Sequence, residues 1–268
     1  MNGNEFTPVV LTIAGLDPSG HSGILADIRT FTALCAFSSC VVTVNTNQTE
    51  NEFYDLFPIP ASTISQQIYQ LFKHEKFDAV KIGMLYNAAN IEILSTVIKD
   101  HNPPHIVLDP LITSSTGGIL LEKTAIHLLK SKLIPYVEVL TPNIPEAEYL
   151  TNINISSIED MERAGRKLLE SGCKAVLVKG GHLKRNAIDV LVNKNDIILI
   201  KGEYIEGQDF RGTGCILSSA IAVFLAKGYD VTLSVKKAKN FIEKARSQLL
   251  QTRRDNKILN IFSSTSLF

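Results

Sequence analysis

No charge of either sign is in excess in this 268-residue chain: Lys and Arg number 27, and Asp and Glu number 27. A balanced total withholds the broad basic surface that nucleic-acid binding asks for, so no nucleic-acid partner is expected. Long apolar runs are missing as well. Nothing approaches the ~18–20 apolar residues of a membrane helix, and no membrane partner is expected. The opening Met1-Asn2-Gly3-Asn4-Glu5 has no positive charge, and the apolar run at 9–14 is too short for a secretory leader. Cysteine is sparse: four residues, at 35, 40, 173 and 215, with neither CxxC nor metal-site spacing. They read as free thiols in a reducing compartment, and a cytoplasmic location is the expectation. Both common phosphate-loop signatures, G-x-x-x-x-G-K-S/T and G-x-G-x-x-G, are also absent. A P-loop kinase and a Rossmann-type dehydrogenase therefore both lose weight.

What is present is an alternation. The chain is 45% hydrophobic, enough to bury one large core, and α/β folds of this length often form one domain. Short continuous apolar runs at 9–14, 40–44, 79–82, 106–108, 137–140 and 175–178 suit strands of a parallel sheet covered on both faces. Helical spacing fills the gaps, at 24–34, 64–72, 91–98, 124–133 and 161–169. Ser156-Ser157-Ile158-Glu159 reads as a capping box opening the last of these, and Gly172 as its stop. Runs at 187–192 and 197–200 flank Asn193-Lys194-Asn195-Asp196 and predict a β-hairpin. Helices are expected at 213–227 and 231–251, with the tail 253–268 unassigned. Strand–helix alternation implies right-handed crossovers and an open, doubly wound sheet in a single domain spanning 1–268.

Ligands of such sheets lie outside the carboxyl ends of the strands. Gly- or polar-rich turns fall there at 15–23, 45–48, 83–85, 109–118, 141–146 and 179–182. Gly212-Thr213-Gly214-Cys215 opens an apolar helix; its amides and the helix dipole make an anion site, beside which a Cys215 thiolate is favoured. The plain alternative is a glycine turn before a core helix with a small buried cysteine. Asn143 and Glu146 form a capping-box pair that leaves room for a metal–phosphate role. Lys179-Gly180-Gly181-His182 sets a cation at a strand end, suited to a nucleotide phosphate or simply an exposed turn. Asp109 suits Mg²⁺ held through water. His21 and His182 read as solvated loop residues and stay outside the catalytic set.

Taken in order, these segments resemble the hydroxymethylpyrimidine/phosphomethylpyrimidine kinases of thiamine biosynthesis, a branch of the ribokinase-like superfamily. The resemblance runs from about residue 8 to about residue 226. It is carried by Leu11-Thr12-Ile13-Ala14-Gly15-Leu16-Asp17-Pro18-Ser19-Gly20, Gly23, Ala26-Asp27, Thr30-Phe31, Lys81-Ile82-Gly83-Met84-Leu85 and Leu108-Asp109-Pro110. Thr141-Pro142-Asn143, Pro145-Glu146-Ala147, Lys179-Gly180-Gly181-His182 and Gly212-Thr213-Gly214-Cys215 complete it. It implies an α/β ribokinase-like fold, a central mostly parallel sheet with helices on both faces, usually as a homodimer. It also implies ATP and Mg²⁺, and an aminopyrimidine phosphorylated on its hydroxymethyl group and then on the resulting phosphate. Gly15, Ser22, Gln48, Met84 and Leu111 carry over as the pyrimidine pocket, and Asn143 and Lys179 as nucleotide contacts. Asp109 and Glu146 carry over as the metal-side carboxylates. Gly212, Thr213, Gly214 and Cys215 carry over as the catalytic turn, with Cys where other branches place Asp.

Four features depart from the family pattern. Arg211 replaces the His that commonly precedes Gly-Thr-Gly-Cys, and either strengthens phosphate binding or faces solvent. The stretch 45–49 is more polar, 113–117 is richer in hydroxyls, and a Gly/His-rich ending is absent. Gly117-Gly118 suggests a hinged cover at 113–118. The nearest rival reading is a pyridoxal kinase of the same superfamily, although no Lys poised to trap an aldehyde is evident in the pocket segments. A non-catalytic pyrimidine-binding regulator is the rival from another class.

Overall fold

Strand β1 (Val9–Leu16) shows the rule on which the sheet is built. Its side chains alternate: Val10 enters the core on one face, and Leu11 and Ile13 enter the core on the other. Both faces are covered, which is why apolar residues occur on both faces of the run rather than at every second position, with Thr12 the polar exception. The computed structural model describes residues 6–49, 52–113, 120–181, 187–202, 210–252 and 257–262.

The strands are β1, β2 (Phe37–Gln48), β3 (Phe53–Pro58), β4 (Ala79–Ile82), β5 (Ile106–Leu108), β6 (Val139–Leu140), β7 (Ala175–Val178), β8 (Ile188–Asn193) and β9 (Ile197–Lys201). They form one nine-stranded sheet in the order β3-β2-β1-β4-β5-β6-β7-β8-β9. Pairing is parallel from β2 through β7 and antiparallel at β2–β3, β7–β8 and β8–β9. The expected mostly parallel sheet with helices on both faces is what the structure has.

One face packs α2 (Ala61–His74), α3 (Ala88–His101), α5 (Ile144–Thr151) and α6 (Ile158–Leu169) over Leu11, Ile13, Ile82 and Leu108. The opposite face packs α1 (Gly23–Ala33), α7 (Thr213–Ala226) and α8 (Val231–Ser247) over Val10, Ala79, Val107 and Val139. Helix α7 is apolar all round because it lies between the sheet and both α1 and α8; Ala220, Ile221, Ala222 and Val223 are fully buried. From β1 the chain moves outward through β2 to the edge strand β3, then returns through α2 to β4 on the other side of β1, so strand order reverses at β1. That switch point opens the crevice in which the site lies.

Several boundaries move. The polar stretch 45–48 is not a turn: β2 runs on through it and pairs with β3. The sequence Phe-Tyr-Asp-Leu-Phe-Pro of this edge strand is largely exposed and shows no apolar run to betray it. The segment 124–133 is one α-helical turn, α4 (Ala125–Leu128), that widens into a π turn at Leu129–Leu133. Strand β6 starts at Val139, not 137, because a 3-10 turn (Ile134–Tyr136) ends with the Val137 amide donating to the Ile134 carbonyl. The capping box of α6 is one residue later than expected, between Ser157 and Asp160. Asp160 Oδ2 also accepts from Ser156, which draws the box into that register. Helix α8 ends at Ser247, and the following chain forms a small antiparallel pair, β10 (Leu250–Gln251) with β11 (Lys257–Ile258). Residues 253–256 and 263–268 of the tail lie outside the described residues.

Candidate active site

A cavity of about 360 Å³ opens at the carboxyl edge of the sheet. Gly15 reaches it from the end of β1, Asp17 and Ser22 from the β1–α1 loop, Gln48 from the end of β2, and Met84 from the turn after β4. Asp109 and Leu111 follow β5, Asn143 follows β6, Lys179 follows β7, and Gly212, Gly214 and Cys215 open α7. The structure thus gathers residues far apart in sequence into one wall set. A second cavity of about 380 Å³, between the 19–21 loop and the tail hairpin, shares only Arg211 with the first among the described residues and lines no carboxylate there.

The turn before α7 needs its glycines. Gly212 has φ 82°, and a Cβ there would lie 1.7 Å from the His21 carbonyl oxygen. The β1–α1 loop and the turn are therefore pressed together at contact distance. A Cβ on Gly214 would sit 3.2 Å from Lys179 Nζ and 3.6 Å from Asp109 Oδ2, so the turn faces the charged centre. The first backbone amides of α7 have no partner within the helix and carry its dipole, a built anion cradle. Thr213 contributes through backbone only: its hydroxyl turns back to the Phe210 carbonyl at 2.6 Å, and it does not line the cavity.

Beside the cradle lie two buried carboxyls. Asp109 Oδ1 accepts from Lys179 Nζ at 2.8 Å, and its Oδ2 is buried with no partner. Glu146 closes a capping box with Asn143: its Oε2 accepts from the Asn143 amide at 2.8 Å, and Asn143 Oδ1 accepts from the Glu146 amide at 2.9 Å. The remaining oxygen, Oε1, is buried without a partner. Glu146 thus caps its helix with one oxygen and keeps the other buried; unlike Asn143 and Pro145, it does not itself line the cavity. Burial, then the nearness of Asp109, push the Glu146 carboxyl up to about 7 against the pull of Lys179. Burial alone would lower Lys179, but Asp109 and Glu146 outweigh it and hold the ammonium above its ordinary value. Two orphaned carboxylate oxygens are hard donors of the kind Mg²⁺ takes. Among the described residues no third His, Cys, Asp or Glu joins them, which suits an ion that keeps its waters and uses phosphate oxygens.

Cys215 does not meet the expectation of a thiolate. It is 6% exposed, and burial pushes its thiol up to about 11, with Lys81 pulling down and Asp27 and Asp109 pushing up. Desolvation in the packed start of α7 outweighs the helix dipole.

Beneath it lies a polar network whose role the sequence did not disclose. Asp27 Oδ2 accepts from Lys81 Nζ at 2.8 Å and from Thr12 Oγ1 at 2.6 Å, and Asp27 Oδ1 accepts from Ser219 Oγ at 2.8 Å. Lys81 and Asp27 are fully buried. A lysine inside an apolar strand, Ala79-Val80-Lys81-Ile82, was the available signal. Asp17 was also missed; it takes hydrogen bonds from the amides and hydroxyls of Ser19 and Ser22 and so holds the β1–α1 loop over the cavity. Arg211 does not simply face solvent: it donates to Gln48 Oε1 and to the Thr49 carbonyl. Residues 114–118 of the expected cover, and His182, lie outside the described residues.

Four likenesses bear on the chain. The family model described as phosphomethylpyrimidine kinase matches residues 17–260. A hydroxymethylpyrimidine/phosphomethylpyrimidine kinase of Aquifex aeolicus is 40% identical over 238 residues, covering 88% of this chain and 93% of that protein. The crystal structure of phosphomethylpyrimidine kinase from Clostridium difficile superposes with a TM-score of 0.80 at 38% identity, covering 90% of this chain and all of the other. An ADP complex of Bacillus subtilis pyridoxal kinase superposes with a TM-score of 0.86 at 29% identity, covering 96% and 98%.

Proposed function

The chain belongs to the phosphomethylpyrimidine kinase family, and from that premise we propose that it phosphorylates 4-amino-5-hydroxymethyl-2-methylpyrimidine and then its monophosphate with ATP, in thiamine biosynthesis. One observation carries the reading. Gly212 and Gly214 of the cradle and the Lys179–Asp109 pair line the same cavity as Gly15, Gln48 and Met84, and the Glu146 carboxyl, outside the lining, is close enough to Asp109 and Lys179 to feel their charges. A donor phosphate chain fits the cradle and the Lys179–Asp109 pair, and a flat heteroaromatic acceptor fits Gly15, Gln48 and Met84.

Asn143 and Lys179 hold the nucleotide phosphates, and the 212–214 amides face the group in transfer. Phosphoryl transfer needs positioning and charge neutralisation more than covalent help from the protein. Asp109 Oδ2 and Glu146 Oε1 would hold Mg²⁺, which when bound neutralises phosphate charge. Gln48 offers both donor and acceptor to an aminopyrimidine edge, Met84 and Leu111 flank the ring, and Ser22 lies at the rim. Cys215, held as a thiol, orients the acceptor hydroxyl and relays its proton, taking it as its own passes to an oxygen of the phosphoryl group in transfer. An acceptor that is already a phosphate needs no such relay. The nine-stranded sheet supports reading 1–268 as one kinase domain. A cytoplasmic homodimer is the state the family resemblance favours. Four free cysteines agree with a reducing compartment, and no helix among the described residues is long and apolar enough to cross a membrane.

A ³¹P NMR time course with ATP and the alcohol tests the reading. A monophosphate ester should appear first and a diphosphate later. Cys215→Ala should slow the first transfer more than the second. Unchanged ATP throughout would end the reading, and equal slowing of both steps would remove the proton role of Cys215.

A second reading, phosphorylation of pyridoxal, draws on the likeness to the Bacillus subtilis enzyme. Both acceptors are flat rings with a hydroxymethyl arm, and the higher sequence identity of the pyrimidine kinases favours the first.

A further inference from the structure

Lys81 and Asp27 form a buried ion pair that the transfer steps described above leave unused. Lys81 Nζ donates to Asp27 Oδ2 at 2.8 Å, and neither side chain meets solvent. Replacing such a pair with apolar side chains of similar volume is often neutral or stabilising, so stability alone is a weak reason for two charges in this core. Its place says more. Lys81 shares a face of β4 with Ala79, the face covered by α1 and α7. A Cβ on Gly83 would lie 2.8 Å from Lys81 Nζ, 3.0 Å from Ala14 Cβ and 3.7 Å from Leu111 Cδ1. Ala14 and Leu111 line the catalytic cavity, so the ammonium lies directly behind its wall. Asp27 Oδ1 accepts from Ser219 Oγ at 2.8 Å. Ser219 stands one turn after Cys215 in α7, on the same helix face. Cys215 therefore looks toward the same network from one turn nearer the cavity, which it lines.

The charged groups facing Cys215 are Lys81 from β4, Asp27 from α1, Asp109 after β5 and Lys179 after β7. Lys179 is paired with Asp109 at 2.8 Å. Burial raises the thiol most, and Lys81 is the largest pull the other way, ahead of the opposing push from Asp27. A thiol that relays a proton becomes charged whenever its two proton movements fall out of step. Taking the hydroxyl proton first leaves the sulfur positive; giving its own proton first leaves it negative. We propose that Lys81 is a positioning residue for the first transfer: its ammonium, fixed behind the cavity wall, stabilises negative charge on Cys215 Sγ and so sets the second order. This deepens the kinase reading and rests on it. In that step the hydroxymethyl oxygen bonds to the γ-phosphorus of ATP. The bond from that phosphorus to the bridging oxygen breaks, and ADP leaves with the electron pair. The Sγ proton passes to an oxygen of the moving phosphoryl group, and the hydroxyl proton replaces it on sulfur. An ammonium already in place needs no reorganisation as the charge develops. A phosphate acceptor brings no proton to relay, so the second transfer has little need of Lys81.

Steady-state kinetics with the alcohol and with its monophosphate test this in Lys81→Met and in the double variant Lys81→Met with Asp27→Asn, which removes both charges. Each should lower kcat with the alcohol about tenfold or more beyond any change with the monophosphate, and leave KM for both acceptors nearly unaltered. Alkylation of Cys215 by iodoacetamide at pH 9, followed in its own peptide, should slow by about threefold or more, because less thiolate forms without the ammonium. Thermal melts show which variants fold; where Lys81→Met does not, the double variant carries the test. Equal slowing of both transfers in a folded variant would overturn the proposal and leave Lys81 a strut for α7. Unchanged kinetics, unchanged alkylation, or a double variant unable to fold would overturn it too. Turnover of neither acceptor by the unaltered chain would instead end the kinase reading itself.

Discussion

Glu146 is a carboxyl placed where ionisation is unfavourable, and this fixes how stability varies with pH. Its folded pKa, about 7, lies above the ordinary 4.5. The native protein therefore keeps a proton that the unfolded chain gives up, and native stability falls as pH rises from about 4.5 through about 7. Above that window the protein carries a buried carboxylate with one unpaired oxygen. Glu146→Gln keeps an oxygen to accept from the Asn143 amide and removes the charge. Without metal at pH 8 the variant should be more stable than the parent by on the order of 1–3 kcal/mol, an advantage that shrinks toward pH 5. It should also lose the stabilisation that Mg²⁺ with nucleotide gives the parent. Thermal melts at both pH values, with and without Mg²⁺, check this; a variant less stable than the parent at pH 8 would show that the carboxylate is already neutralised by Lys179. The sequence showed Asn143 and Glu146 as a capping pair, and that box is visible in the geometry; of the two, Asn143 lines the cavity and Glu146 does not. The sequence could not show which Glu146 oxygen goes to which task, because that depends on Asp109 and Lys179 arriving from other strands. For the same reason Cys215 was misjudged: a glycine turn at a helix start favours a thiolate locally, and only the packing of α7 reveals the desolvation that reverses it.

At the scale of elements, the turns between strands and helices hold the site together through glycines that tolerate no Cβ. The neighbours Gly180 and Gly181 make the contrast. A Cβ on Gly180 would lie 1.8 Å from the Ile188 carbonyl oxygen, whereas among the described residues one on Gly181 meets nothing within 4 Å. The Gly180 amide also donates to Asp189 Oδ1, whose other oxygen accepts from Lys239 of α8 at 2.6 Å, so this turn ties β7 to β8 and α8. Gly180→Ala should destabilise the protein by several kcal/mol, in the range of overpacking in a tight core, and displace Lys179. Gly181→Ala should stay within about 0.5 kcal/mol of the parent. Chemical denaturation of the two variants decides; equal effects would contradict the packing described. A sequence pattern sees two equivalent glycines here, since only the third dimension puts a carbonyl against one of them. Continuous apolar strands such as β4 and β7 were legible from composition alone. Strand β3 was not, because an exposed edge strand pairs through its backbone and leaves no apolar run. The π turn at Leu129–Leu133 was hidden for a related reason: its side chains keep helical spacing while the hydrogen bonds shift.

At the scale of the whole molecule, the switch point at β1 brings the carboxyl ends of β1, β4, β5, β6 and β7 to one crevice, with α7 delivering its N-terminus into it. The two halves of the site come from different parts of this plan. In the proposed reading the acceptor wall draws on β1, β2, β4 and Leu111 after β5, and the phosphate end on Asp109 after β5 together with β6, β7 and α7. The buried Lys81–Asp27 pair, with Ser219, ties β4, α1 and α7 together. The order of the turns along the sequence was enough to foresee the crevice. The bridge from Arg211 to Gln48 across it was not, since those residues are 163 positions apart. The central claim is that this crevice transfers the γ-phosphoryl group of ATP to a hydroxymethylpyrimidine and then to its phosphate. The most direct measurement is ATP consumption with the alcohol, its monophosphate and pyridoxal compared side by side. Turnover of the alcohol and the monophosphate, each with a higher kcat/KM than pyridoxal, is the predicted result; turnover of pyridoxal alone, or of none of the three, would contradict it.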